Sequence, residues 1–370
     1  MTQMSAAGNE AGCLLSMMKG GETLVKPFND SRYGSDTIYA SRLTAAQMQF
    51  LSARYGQKQF SPFEQMCVYV IEKALEQTDI DPAGDDVTLI ISTTKGNIEW
   101  LGLQEDARTM LAESGKRIAD FFRLKQEPTI ISNACISGSL ALAHAQRVVQ
   151  RGVAKHAIVV GCDRFSGFVY SGFRSFHALA DGVCRPFDAQ RTGINLGEAA
   201  ACIILSGDMS VSHEQPVGIL AGAGISNDAN HLSGPSRSGE ELAYAIKKAM
   251  AEAGISAGDI GMVSAHGTAT AFNDEMESKA IGLAGLAAAP IHSLKSYVGH
   301  TLGAAGILES MAALLAMQHD IIPASLNFES VGTPISLNVS VDTVEKEYRY
   351  FLKTASGFGG CNAALVWKGK

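Results

Sequence analysis

The chain contains no run of 18 apolar residues, so no membrane-crossing helix is expected. Its first ten residues, M-T-Q-M-S-A-A-G-N-E, hold neither a basic cluster nor an apolar stretch, and no secretory leader is expected. Lys and Arg number 30 against 37 Asp and Glu, a formal charge of −7, and no basic run interrupts that balance. This argues against nucleic acid as a partner. The seven cysteines (13, 67, 135, 162, 184, 202 and 361) are odd in number and scattered, with no C-x-x-C pair. Neither a disulfide framework nor a cysteine zinc site is expected, and reduced thiols in a cytoplasm are the simple reading.

What is present is a long, apolar, glycine-rich chain. At 370 residues it exceeds what one core usually supports, and its 46 % apolar content can bury a large one. Apolar strands such as Val87–Ser92, His156–Gly161, Ala199–Leu205, Val217–Ile225 and Gly261–Ala265 alternate with helical patterns, Ser61-Pro62 onward and Glu240–Ala253 among them. Residues 21–41 read as loop. The alternation predicts an α/β fold with largely parallel pairing. The element order repeats, so two halves are expected, 1–210 and 211–370, dividing near Gly207–Pro216. Glycines gather at Gly299, Gly303 and Gly306, and again at Gly357, Gly359 and Gly360, where they permit close backbone approach.

Three strands end in reactive side chains. Cys135 lies in I-S-N-A-C-I-S-G, between Thr129–Ile131 and a helix from Ser139. A helix N-terminus presents free N–H groups and partial positive charge, which favours a thiolate. Read alone, such a cysteine is equally a small buried apolar residue. His266 follows Met262-Val263-Ser264, and Lys295 and His300 follow Ile291–Leu294. Groups at the carboxyl ends of strands in α/β sheets can converge on one pocket. A thiol with two imidazoles and no local carboxylate suits chemistry in which charge develops on a carbonyl oxygen away from the nucleophile. Carbon–carbon bond formation on a thioester is the natural candidate.

The chain resembles the elongating β-ketoacyl-[acyl-carrier-protein] synthases, with their thiolase-like fold of two similar halves layered α/β/α/β/α. The resemblance rests on N-A-C-I-S-G-S around Cys135, C-R-P-F-D-A-Q-R-T-G-I-N-L-G-E-A-A at 184–200 and S-A-H-G-T-A-T at 264–270. It continues in K-S-Y-V-G-H-T-L-G-A-A-G-I-L-E-S at 295–310 and S-G-F-G-G-C-N-A at 356–363. It implies that Cys135 accepts an acyl chain, and that His266 and His300 assist decarboxylation of malonyl-carrier protein and stabilise the enolate. It implies that Lys295 orients the site with Glu309, and that the N–H groups of Cys135 and Phe358 form an oxyanion hole. Phe358 is also expected to gate the acyl channel, and Thr268 and Thr270 to hold the phosphopantetheine arm. No metal or redox cofactor is implied; acyl-carrier protein is the partner, in a homodimer or a ketosynthase heterodimer. Arg42, Arg54, Lys58, Lys116, Arg117 and Lys125 are candidates for the face that meets it. Asp163 reads as a loop-holding residue. The runner-up is a non-catalytic, chain-length-factor-like partner subunit, a class that usually lacks the reactive cysteine. A decarboxylase on the same fold would carry Gln at that position.

Two departures mark the chain. No apolar strand precedes Gly8-Asn9-Glu10, and the segment between Lys95 and Pro128, which carries dimer contacts in the family, is short.

Overall fold

Val87–Ser92 and His156–Asp163 are buried at every position, so both need cover on both faces. The computed structural model describes residues 1–34, 37–56, 59–102 and 106–369. In it these two strands are the middle of a five-stranded sheet, ordered Thr2–Ser5, Ala199–Ser206, His156–Asp163, Val87–Ser92, Thr129–Ile131. A second five-stranded sheet runs Ile219–Asn227, Cys361–Lys368, Tyr350–Gly357, Ile260–Ser264, Ile291–His292. Counted along the chain within each half, both sheets have the order first, fifth, fourth, second, third. In both, the second strand pairs in parallel with its two neighbours and the fifth pairs antiparallel with its two.

Each sheet is thus evenly mixed, less parallel than the strand–helix alternation suggested. The reason lies in connection length. Tyr350–Gly357 and Cys361–Lys368 are joined by three residues, which permits only an antiparallel return. The polar N-terminus also differs from expectation. Thr2–Ser5 is a strand, paired with Ala199–Cys202, although Thr2, Gln3 and Ser5 are its majority. The fully buried Gln3 side chain donates through Nε2 to the Glu10 carbonyl at 2.8 Å. Within 21–41, short strands occur at Lys26–Phe28 and Ile38–Ser41.

Between the sheets lie two helices. Ser137–Gln150 touches His156–Asp163 on one side and Ile219–Asn227 and Cys361–Lys368 on the other; Ala305–Gln318 packs on it and on Ala199–Ser206 and Tyr350–Gly357. Ala305–Gln318 is buried all round except at its last residue, as a helix covered by two sheets must be. Pro62–Leu75, begun by a Ser61 capping box, covers the first sheet from outside, and Glu240–Ala253 covers the second. The result is five layers. Among the described residues, no helix is long and apolar enough to cross a membrane.

The central helices cross through glycine. A Cβ on Gly306 would sit 2.2 Å from the Ser139 nitrogen, and one on Gly138 would sit 2.9 Å from the Gly303 carbonyl. Only bare backbone allows that approach. It brings the N-termini of both helices together, beneath the ends of the strands that carry Cys135 and His266.

Candidate active site

The third strand of each half feeds a reactive turn, Cys135 after Thr129–Ile131 and Lys295 after Ile291–His292. His266 follows the second strand of the second half. The internal repeat therefore delivers Cys135 and Lys295 from matching places, and His266 from the strand beside Ile291–His292.

Cys135 is set by a strained turn. Ala134 has φ of 43°, a left-handed conformation unusual for a residue with a side chain. The Ser137 hydroxyl closes the turn, donating to the Ala134 carbonyl at 2.7 Å and accepting from the Asn133 N–H at 2.8 Å. The thiol stands just before the first turn of Ser137–Gln150. Burial pushes it up to about 12, against the pull of Lys295. The helix end acts in the same sense as Lys295, and burial outweighs the lysine. The expectation of a low-pKa thiol gives way to a neutral one.

One donor atom from each of Cys135, His266 and His300 lies within 4.8 Å of the others. The two imidazoles meet edge to face, with centroids 5.4 Å apart. Both rings are buried, and burial first, then the charges of Lys295 and Lys353, hold them well below the usual histidine range. Their tautomers follow from their neighbours. The Lys295 ammonium lies 3.2 Å from Nδ1 of His266 and has only hydrogens to offer, and the Leu302 N–H donates to Nδ1 of His300 at 3.3 Å. Each neutral ring therefore carries its proton on Nε2. Among the described residues the Nε2 of His300 has no protein partner. Two neutral N–H donors beside a thiol are suited to a developing oxyanion. A metal cation at the same place would face the lysine charges.

Lys295 is fully buried and donates to the His266 carbonyl and to Glu309 Oε1, each at 2.6 Å. Glu309 is buried as well, and burial opposes its ionisation, but Lys295 and Lys353 together hold it below the usual carboxylate range. Thr268 and Thr270 share a hydrogen bond of 2.8 Å, and Asp274 fixes their loop by accepting from the N–H groups of Thr268 and Ala269. Phe358 is partly exposed and stacks on Phe173 at 5.6 Å. The Gly357 backbone lies against the Cys135 nitrogen: a methyl at Gly357 would come within 3.0 Å of it. Cys135, His266, His300, Thr268, Thr270 and Phe358 all line one cavity of about 440 Å³ that opens to solvent. Lys295 and Glu309 lie behind it.

Three supporting residues were not legible as such. Lys353 lies 2.6 Å from Glu309 Oε2. Glu277 accepts from the N–H groups of His266 and Gly267, both at 2.8 Å. His292 is wholly buried, and neither ring nitrogen has a partner among the described residues. The available signal for Lys353 was a lysine inside the apolar strand F-L-K-T-A-S; for Glu277, it was a carboxylate in the helix that follows H-G-T-A-T. Asp163 holds loops, as expected: it accepts from Thr93, Thr94, Lys95 and the Gly303 N–H. Of the basic candidates, Arg54 and Lys125 are paired with Glu72 and Asp85, and Lys58 lies outside the described residues.

The beta-ketoacyl synthase N-terminal domain model matches residues 5–210, and the C-terminal domain model matches residues 217–329. A 3-oxoacyl-[acyl-carrier-protein] synthase 2 of Mycobacterium leprae is 35 % identical over 248 residues, 64 % of this chain and 59 % of that relative's length. A protein of the same name from Mycobacterium tuberculosis is 34 % identical over 250 residues, again 59 % of its length. The chain thus spans about three fifths of the curated relatives it matches. Among solved structures, a beta-ketoacyl synthase from Burkholderia phymatum shares the fold with a TM-score of 0.89 at 23 % identity, covering 100 % of this chain and 98 % of that one. The ishigamide ketosynthase/chain length factor gives 0.89 at 25 %, covering 100 % and 97 %. A ketosynthase (ApeO) in complex with its chain length factor (ApeC) from Xenorhabdus doucetiae gives 0.85 at 24 %, covering 100 % and 96 %. With both domain models matched in order over more than half its length, the chain belongs to the beta-ketoacyl synthase family.

Proposed function

We propose that the protein is a β-ketoacyl-[acyl-carrier-protein] synthase that extends acyl chains by decarboxylative condensation, in fatty-acid or polyene/polyketide-type elongation. The observation that carries this reading is the convergence of Cys135 with two neutral Nε2–H imidazoles at the floor of one open cavity. In the first half-reaction the Cys135 sulfur attacks an acyl thioester. The N–H groups of Cys135 and Phe358 take the tetrahedral oxyanion, and the carrier thiol departs with the proton that Cys135 gives up. In the second, malonyl-carrier protein loses carbon dioxide. The enolate oxygen accepts hydrogen bonds from Nε2 of His266 and His300, its carbon attacks the acyl-Cys135 carbonyl, and the carbon–sulfur bond breaks to release the Cys135 thiolate, which takes a proton from water to return the thiol. Thr268 and Thr270, on the cavity wall, hold the phosphopantetheine arm, and Phe358 gates the acyl side. Substrates arrive on cytoplasmic acyl-carrier protein, and the working unit is a dimer with a second copy or with a related subunit. The cysteine favours this reading over the non-catalytic partner subunit.

The test is incubation with acyl-carrier proteins of several chain lengths plus malonyl-carrier protein. An acyl adduct on Cys135 by intact mass, and a β-ketoacyl product by chromatography, are expected. No adduct with any chain, together with a Cys135→Ala variant as active as the parent, refutes it.

A further inference from the structure

Behind the histidines lies a second lysine for which the condensation chemistry described above has no part. Lys353 sits in the middle of Tyr350–Gly357, with no exposed surface. A buried ammonium is costly unless paired and hydrogen-bonded. Lys353 has both kinds of partner. Its Nζ lies 2.6 Å from Glu309 Oε2, while Lys295 holds Oε1 of the same carboxylate at 2.6 Å. It also donates to the carbonyls of Ser264, Ala265 and Thr354, the first two at 3.2 and 3.4 Å.

The placement has two consequences. Ser264 and Ala265 are the last residues before His266, and Ser264 pairs with Lys353 in the sheet. Lys353 therefore ties three elements together: the strand end that carries His266, the strand that leads to Phe358, and the central helix that carries Glu309. Second, one carboxylate is shared by two ammonium groups. Lys353 thus adds a second ammonium, faced by the Glu309 carboxylate and by Glu277, just behind two imidazoles that face an anion in the second half-reaction. The other titratable groups facing the cluster are Glu277, from Ala271–Leu283, and His292, from the neighbouring strand. Glu277 is engaged by the backbone N–H groups of His266 and Gly267 and by the Thr354 hydroxyl. Asp163 and Cys135 lie on the far side, with the first half's elements.

We propose that Lys353 is a positioning residue for the decarboxylation and condensation step: it holds the His266 strand end and Glu309 in place and sets a second positive charge behind both imidazoles, which favours the enolate they bind. The inference rests on the condensing-enzyme reading above. It predicts a split between half-reactions. Acyl transfer to Cys135 depends on the Ser137 helix end and the Cys135 and Phe358 N–H groups, none of which Lys353 touches.

The experiment compares the parent protein with Lys353→Met, which keeps length and removes the charge. Formation of the acyl-Cys135 adduct is followed by intact mass. Malonyl-carrier decarboxylation and condensation are followed by product release across pH, and imidazole titration by NMR of histidine-labelled protein. The expected result is near-parental acylation, with kcat for decarboxylation and condensation lowered by about 10²-fold, the scale for a displaced reacting group. The histidine titrations, and the acid limb of the rate profile, move to higher pH because a neighbouring cation is gone. Should Lys353→Met not fold, Lys353→Gln, which keeps an N–H donor without the charge, is read by the same measures. Parental condensation, an equal fall in both half-reactions, or unmoved histidine titrations overturns the proposal. A parent that forms no adduct overturns the underlying functional reading, and the NMR titration still decides whether Lys353 sets the histidines.

Discussion

Gly306→Ala tests the crossing on which the site is built. The new methyl would stand 2.2 Å from the Ser139 nitrogen and 2.5 Å from its hydroxyl, where ordinary contact begins at 3.4 Å. One central helix must therefore shift by about 1.2 Å, or the methyl must strain rigid backbone on both sides. Overpacking of this kind costs on the order of 3 kcal/mol. Spread over the unfolding entropy of a chain this long, that lowers Tm by about 4 °C. The larger consequence is positional. Ser139 is four residues after Cys135, and Gly306 is six after His300, so the shift separates the thiol from an imidazole. A displacement near 1 Å costs about 10²-fold in rate. Thermal unfolding by calorimetry and the rate of acyl-Cys135 formation by mass spectrometry read the two effects separately. Gly12→Ala is the control: it lies in Ala11–Gly20, has nothing within 4 Å of its added methyl, and should raise stability by up to about 1 kcal/mol. A Gly306→Ala protein with parental Tm and acylation rate would refute the close crossing and the account of how the two helices position the site.

Other expectations follow from the buried charges. Glu309→Gln removes the carboxylate that Lys295 and Lys353 share and should destabilise by about 3–5 kcal/mol, measured by urea unfolding, and should suppress condensation more than acylation. His292, held by burial at about 4 with its neighbouring lysines opposing protonation, stays neutral in the fold while the unfolded chain protonates near 6.5. Stability is therefore unaffected above pH 6.5 and falls as pH drops from 6.5 towards 4, by about 3 kcal/mol from this residue. His292→Leu should flatten that part of the stability–pH curve, and an unchanged slope would remove His292 as its source. Because burial holds the Cys135 thiol near 12, its alkylation by iodoacetamide should accelerate continuously with pH. A plateau near neutrality would show that Lys295 and the helix end outweigh burial.

The amino-acid sequence by itself determined the alternation of strands and helices and the position of Cys135, His266, Lys295 and His300 near strand ends. Apolar runs bounded by turn residues mark strands whatever their neighbours; His266 and Lys295 directly follow such runs, and Cys135 and His300 come within six residues of one. The covalent order of five motifs carried the family before any coordinate was known. Other features depended on contacts far apart in the chain. Thr2–Ser5 has no apolar pattern, and it is a strand because Ala199–Cys202 offers it a partner edge. Glu309 could have faced outward on any single helix, but two sheets close over Ala305–Gln318 and turn it inward onto two lysines. Lys353 occupies a strand position that alternation alone would assign to solvent; burial on both faces of the sheet makes it part of the site instead. The protonation of the thiol and the tautomers of both histidines belong to the same class. They are set by desolvation and by which N–H lies beside each Nδ1, quantities that exist only once the strand ends of both halves have met.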